Sequence, residues 1–119
     1  MYSDKMLDHF HHPRHVGEIE HPAAVIESVN PVCGDTLKLW VEIKDGRITQ
    51  ATFKAQGCVP AMACGSWLAD WLTGKNVQEL PALSAEAIAA DLGGLPVASR
   101  HAATLAAECF RRLVEKITP

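Results

Sequence analysis

The stretch TLKLWVEIK-DG-RITQATFKA (Thr36–Lys44, Asp45-Gly46, Arg47–Ala55) decides the fold class. Leu37, Leu39, Val41 and Ile43 alternate with Lys38, Glu42 and Lys44, so one face of an extended strand is apolar and the other largely polar, with Trp40 on the polar side. Asp45-Gly46 supplies the positive φ values that a two-residue hairpin turn needs. Arg47–Ala55 then returns as a second strand carrying Ile48, Ala51 and Phe53.

Working outward, Ala23–Val29 is a further strand, so the middle of the chain reads as an antiparallel meander. Before it, Ser3–His12 has a helical stripe of Met6, Leu7 and Phe10 that Pro13 stops, and Pro13–Pro22 reads as a polar loop. After the meander the pattern turns helical. Pro60 suits a first helical turn, because its missing N–H has no partner there in any case. That helix runs to about Leu72 and ends before Gly74. Ser84 caps a second helix to Asp91, and Gly93-Gly94-Leu95-Pro96 breaks the chain. Ser99 is placed to cap a last helix to about Lys116, with Leu105, Cys109, Leu113 and Val114 on its apolar face. Strands followed by helices predict an α+β fold: a small three-stranded antiparallel sheet with helices packed on one face, in one domain over residues 1–119.

Composition narrows the function classes. The net charge of −3 gives no electrostatic reason for a nucleic-acid or anionic-membrane partner. No apolar run reaches the length of a membrane span, and Met1-Tyr2-Ser3-Asp4-Lys5 lacks the basic start and apolar stretch of a secretory signal. A cytoplasmic location is expected. In that reducing setting the four cysteines read as ligands, sulfur chemistry or core residues rather than disulfides.

Three short motifs at element junctions carry candidate chemistry. In Cys33-Gly34-Asp35, a thiol and a carboxylate two residues apart share one side of an extended segment. In Gly57-Cys58, the cysteine sits between a strand end and a helix start, where the positive helix end favours thiolate. In Arg100-His101, the histidine lies in a first helical turn, which disfavours imidazolium and keeps a nitrogen free to coordinate metal. Cys33, Asp35, Cys58 and His101 together supply two sulfurs, one oxygen and one nitrogen, which can build one mixed metal site.

With their flanks, these motifs resemble the IscU / NifU N-terminal family of iron–sulfur cluster assembly scaffolds. The matching stretches are Asp8-His9-Phe10, Pro13-Arg14-His15-Val16-Gly17, Asn30-Pro31-Val32-Cys33-Gly34-Asp35, Phe53-Lys54-Ala55-Gln56-Gly57-Cys58, and Leu95-Pro96 followed by His101. The resemblance spans nearly the whole chain and implies the SufE/NifU-like fold. It implies a binding and transfer protein rather than an enzyme. A cysteine desulfurase delivers sulfur, iron joins it, a labile [2Fe–2S] cluster forms, and the cluster passes to recipient apo iron–sulfur proteins. It assigns Cys33, Cys58 and His101 as ligands, with Asp35 as the nearby carboxylate, and implies that zinc can occupy the same place in the isolated protein.

The chain departs from the family pattern directly after the histidine. The family has a third cysteine there; this chain has Ala102, which neither ligates metal nor carries persulfide. Two alternatives follow: a divergent member that holds zinc without building clusters, or a persulfide carrier using Cys58. The chaperone motif Leu-Pro-Pro-Val-Lys is also missing, since Leu95-Pro96-Val97-Ala98-Ser99 stands in its place, so a dedicated Hsp70 partner is not expected. The extra insertion of the zinc-dependent sulfur-acceptor branch is absent between Cys58 and His101, and the further domains of full NifU are not expected.

The remaining candidates read as structure. Cys109 lies about 10 Å along the helix axis from position 102, too far to replace a ligand there. Cys64 falls on an apolar stripe with Trp67, Leu68 and Trp71 and reads as core, although its nearness to Cys58 leaves a rearranged site open. His9, His11, His12, His15 and His21 read as a solvated surface. No Ser/His/Asp pattern or phosphate-binding glycine loop is present.

Overall fold

In the computed structural model, which describes residues 2–31 and 34–118, the meander forms as a three-stranded sheet of order β1-β2-β3. Its strands are β1 (Ala24–Val29), β2 (Thr36–Lys44) and β3 (Arg47–Gln56), all antiparallel. The β2–β3 turn has φ +55° at Asp45 and +74° at Gly46, the mirror-image turn whose twist suits a hairpin.

The register shifts by one residue along the hairpin. Ile43 pairs with Ile48 but Glu42 pairs with Gln50, which leaves Thr49 as an extra residue on β3. That bulge resolves a conflict in the sequence. Ile48 differs in parity from Ala51 and Phe53, so an unbroken strand would aim them at opposite faces. With the bulge all three lie on the face of Leu37, Leu39 and Val41 and are fully buried.

Four helices complete the element order: α1 (Asp4–His11), α2 (Val59–Leu72), α3 (Ala85–Asp91) and α4 (Arg100–Ile117). Helix α2 packs on β2 and β3, and α4 on β1 and β2, so both cover the same face of the sheet; α1 lies against α2 and α3 against α4. Ser3 caps α1 by accepting from the Met6 N–H at 3.0 Å, and its hydroxyl donates to the Leu92 carbonyl beyond α3. Ser84 caps α3 through the Ala87 N–H at 3.1 Å.

Three local expectations need correction. Ser99 makes no side-chain cap, because a 3-10 turn over Val97–Ser99 runs into α4 and leaves Ser99 at φ −107°, ψ 1° rather than in the extended conformation a cap needs. Helix α2 is buried on nearly every side, not along one stripe. Its small residues Ala61, Ala63, Gly65, Ser66 and Ala69 are enclosed as fully as Cys64 and Leu68, since α1, α4 and the sheet surround it. The loop over 13–22 is a strap rather than a simple polar connection. Val16 pairs in parallel with Phe53 on the free edge of β3, Glu18 meets Lys54 at 2.7 Å, and Ala23 donates to Val41 at the far side. Between those points it crosses the face bearing Trp40 and Thr52, and Ile19 is buried along the way. The free edge of β1 is guarded by α4, whose Arg112 and Lys116 donate to the carbonyls of Glu27 and Val25. Among the described residues no helix is long and apolar enough to cross a membrane.

A methyl group on Gly65 would stand 2.6 Å from the Phe53 ring and 2.9 Å from Leu37. Gly65→Ala should therefore lower stability, by a net amount on the order of 1–2 kcal/mol, the overpacking outweighing the better helix propensity of alanine. The midpoint of urea unfolding checks this.

Candidate metal centre

Each site residue is placed by a different part of the fold. Asp35 directly precedes β2, in a connection closed by the Asn30 N–H on the Asp35 carbonyl and the Gly34 N–H on the Asn30 carbonyl, both at 2.8 Å. Cys58 takes the N-cap position of α2 with extended backbone, and its carbonyl receives the Ala61 N–H at 3.1 Å. His101 stands in the first turn of α4. The antiparallel register opposes Thr36 to Gln56, which sets Asp35 beside the Gly57-Cys58 corner.

The three side chains converge. Cys58 Sγ donates to Asp35 Oδ2 at 3.2 Å, Cys58 Sγ lies 3.9 Å from His101 Nε2, and His101 Nε2 is 3.3 Å from Asp35 Oδ2. Around a tetrahedral ion with metal–sulfur bonds of about 2.3 Å and metal–nitrogen or metal–oxygen bonds of about 2.0–2.1 Å, ligand atoms stand roughly 3.3–3.6 Å apart. The observed triangle thus fits the edges of such a polyhedron within a few tenths of an ångström. Among the described residues no other group of histidine, cysteine and carboxylate side chains gathers in this way. The fourth sequence-predicted residue, Cys33, lies outside the described residues.

The site sits at a boundary between core and solvent. Asp35 is buried, while the His101 side chain is 34% exposed. A hollow of about 310 Å³ opens beside the histidine, lined by Val29, Pro31, Thr104 and Leu105 among others. The next side chain along α4, Ala102, turns into the hydrophobic core and is 1% exposed.

The electrostatics reverse one expectation. The start of α2 does act on Cys58 in the predicted sense, through the Ala61 N–H, but burial outweighs it and Asp35 adds to burial both as hydrogen-bond acceptor and as negative charge. The thiol is therefore pushed above its ordinary range rather than held as thiolate. A cation arriving between Cys58 and Asp35 would take the place of that shared proton.

The other cysteines are core residues. Cys64 and Cys109 are buried, and burial pushes each thiol up to about 12. Cys64 does not join the cluster of ligand atoms. One histidine departs from the solvated surface expected for the N-terminal group. His9 is 6% exposed, and its Nδ1 lies 2.8 Å from Ser66 Oγ. The Arg14 N–H donates to that same oxygen. Burial holds His9 below its ordinary pKa, with the Arg14 charge adding to the effect. The available signal was its spacing: His9 follows buried Met6 by three residues on the inner side of α1.

The family model for the NifU-like N-terminal domain matches residues 1–118. The chain belongs to that family. It is 41% identical over 114 residues to the iron–sulfur cluster assembly scaffold protein IscU 1 of Archaeoglobus fulgidus, covering 96% of this chain and 74% of the relative. It is 34% identical over 117 residues to the scaffold protein IscU of Escherichia coli K12, covering 95% and 91%. The fold superimposes on the N-terminal part of a NifU-like protein from Brucella abortus with a TM-score of 0.70 at 21% identity, covering 98% and 95%. The α+β architecture expected from the meander is thus the family's own.

Two outcomes follow from the protonated thiol. Asp35→Ala removes an acceptor and a negative charge, so the Cys58 thiol should titrate at lower pH, read as the pH dependence of site-resolved alkylation by mass spectrometry. Because metal must displace the Cys58 proton, the apparent affinity for Co(II) should rise with pH below the thiol pKa, by up to about tenfold per pH unit for each proton released; titrations at several pH values measure the slope.

Proposed function

We propose that this chain is a scaffold on which an iron–sulfur cluster of the [2Fe–2S] type is built and from which it is handed on. The cluster is cargo rather than a resident cofactor. The observation that carries this reading is the triangle of Asp35 Oδ2, Cys58 Sγ and His101 Nε2 at a partly open edge of the fold. The kinship with proteins named as cluster assembly scaffolds supports it.

In this reading Cys33, two residues before Asp35 in the sequence, is the fourth member of the holding set. Two sulfurs, one carboxylate oxygen and one imidazole nitrogen meet the four positions a two-iron cluster requires. Replacing two of the usual thiolates by harder ligands holds the cluster less firmly, which suits release. Sulfur comes from a cysteine desulfurase, with Cys33 or Cys58 as acceptor because position 102 is alanine. Recipient apo iron–sulfur proteins take the product in the cytoplasm. The chain supplies ligands and a protected corner rather than turnover of its own.

Anaerobic reconstitution with ferrous iron, cysteine, a desulfurase and a dithiol reductant, which supplies the electrons that turn sulfane sulfur into sulfide, should give visible absorbance from a bound cluster. Cys58→Ala and His101→Ala should each abolish it or make it decay at least about tenfold faster on addition of chelator. Intact absorbance in both variants would refute the assignment. Stoichiometric zinc that iron fails to replace would favour a zinc-holding relative instead, and a stable added sulfur on Cys58 without iron would favour a sulfur carrier.

A further inference from the structure

Gly57 touches neither the hollow nor the ligand triangle with a side chain, yet the triangle leans on it. Its backbone has φ +140°, and the place where a Cβ would stand is already occupied by Asp35. A methyl group there would lie 2.2 Å from Asp35 Oδ1, 2.5 Å from Cγ and 3.0 Å from the Asp35 Cβ. The aspartate side chain is thus laid against the bare α-carbon of Gly57. With Oδ1 on that side, Oδ2 is the oxygen that meets Cys58 at 3.2 Å and His101 at 3.3 Å.

We infer that Gly57 is a positioning residue, which sets the Asp35 carboxylate to offer a bound metal one oxygen, Oδ2, in register with Cys58 and His101. This rests on the reading of the triangle as a metal-holding site. An aspartate free to turn could present both oxygens or swing toward solvent; here one oxygen is spent on the contact with Gly57. A methyl group at position 57 must push Oδ1 away by roughly 1 Å before an ordinary contact distance is reached. Metal sites tolerate displacements of about 0.5 Å, so the carboxylate would leave its place in the polyhedron. The glycine is therefore required twice: its φ lies where side chains are strained, and its missing Cβ is the slot for the carboxylate.

Four proteins separate those two requirements: wild type, Gly57→Ala, Asp35→Ala and the double variant. Strain from φ alone lowers Tm equally in both backgrounds, whereas the carboxylate contact makes the loss smaller once Asp35 is truncated. The expected result is a Tm loss from Gly57→Ala that falls to roughly half or less in the Asp35→Ala background. In parallel, Gly57→Ala should weaken Co(II) binding by about 10–100-fold, followed by visible titration, while the cobalt–thiolate absorption at saturation persists and Asp35→Ala makes the second substitution nearly silent. Should Gly57→Ala fail to fold, recovery of folding in the double variant supports the contact, and failure of both overturns it. Equal Tm losses in the two backgrounds, with Co(II) affinity unchanged by Gly57→Ala, overturn the inference while leaving the metal site standing. A wild-type protein that takes up no Co(II) overturns the metal-holding reading and the ligand role with it, and the Tm comparison then decides the Gly57–Asp35 contact alone.

Discussion

The candidate site depends on the register of one hairpin. The turn at Asp45-Gly46 joins Lys44 to Arg47, and the ladder then counts back along β2 and forward along β3 until Thr36 faces Gln56. Asp35 is thereby brought beside Gly57 and Cys58, although 23 residues separate the carboxylate from the thiol. The extra residue at Thr49 is part of that count. Without it Thr36 would oppose Ala55, Asp35 would oppose Gln56, and the carboxylate would miss the corner where β3 gives way to α2. The bulge therefore serves the core and the site together: it returns Ile48 to the buried face and brings the two motif cysteine and aspartate segments into line.

Around this fixed pair the structure combines opposing demands. Cys58 is buried enough to hold its proton, and Asp35 strengthens that hold. His101, on a different helix, faces partly to solvent and leaves an approach beside it. A set of ligands that shares a proton until a cation replaces it makes uptake and release sensitive to whatever competes for the thiol. That behaviour suits passing cargo better than keeping it. Position 102 contributes nothing to this balance, because its side chain is directed into the core while the neighbouring His101 is directed out.

The rest of the fold holds the corner in place. Helix α2 begins directly after Cys58 and is enclosed by α1, α4 and the sheet. Its small residues allow that close approach, with Gly65 against Phe53 the tightest example. Ser66 on the same helix accepts from the Arg14 backbone and shares a hydrogen bond with His9, tying the N-terminal helix and the strap to the element next to the thiol. On the face of the sheet that the helices leave open, Trp40, Thr52 and the strap residue Ile19 are buried, while Glu27 and Lys54 stay exposed.

Much of this could be read from the chain alone, because local rules act over a few residues. Alternation in Thr36–Lys44, the Asp-Gly turn, Pro60 at a helix start and the Ser84 cap each depend on near neighbours, and each appears where the pattern places it. The residues of the candidate site were likewise visible as chemistry at element junctions. Tertiary structure decided what depends on partners distant in sequence. The bulge at Thr49 answers to packing against the helices on the buried face, the burial of His9 to Ser66 on another helix, and the missing cap at Ser99 to the 3-10 turn before it. The proton on Cys58 was decided the same way. A helix start alone argues for thiolate, but burial and a carboxylate delivered by another strand argue more strongly for thiol, and the sum of those fields exists only once the chain is folded.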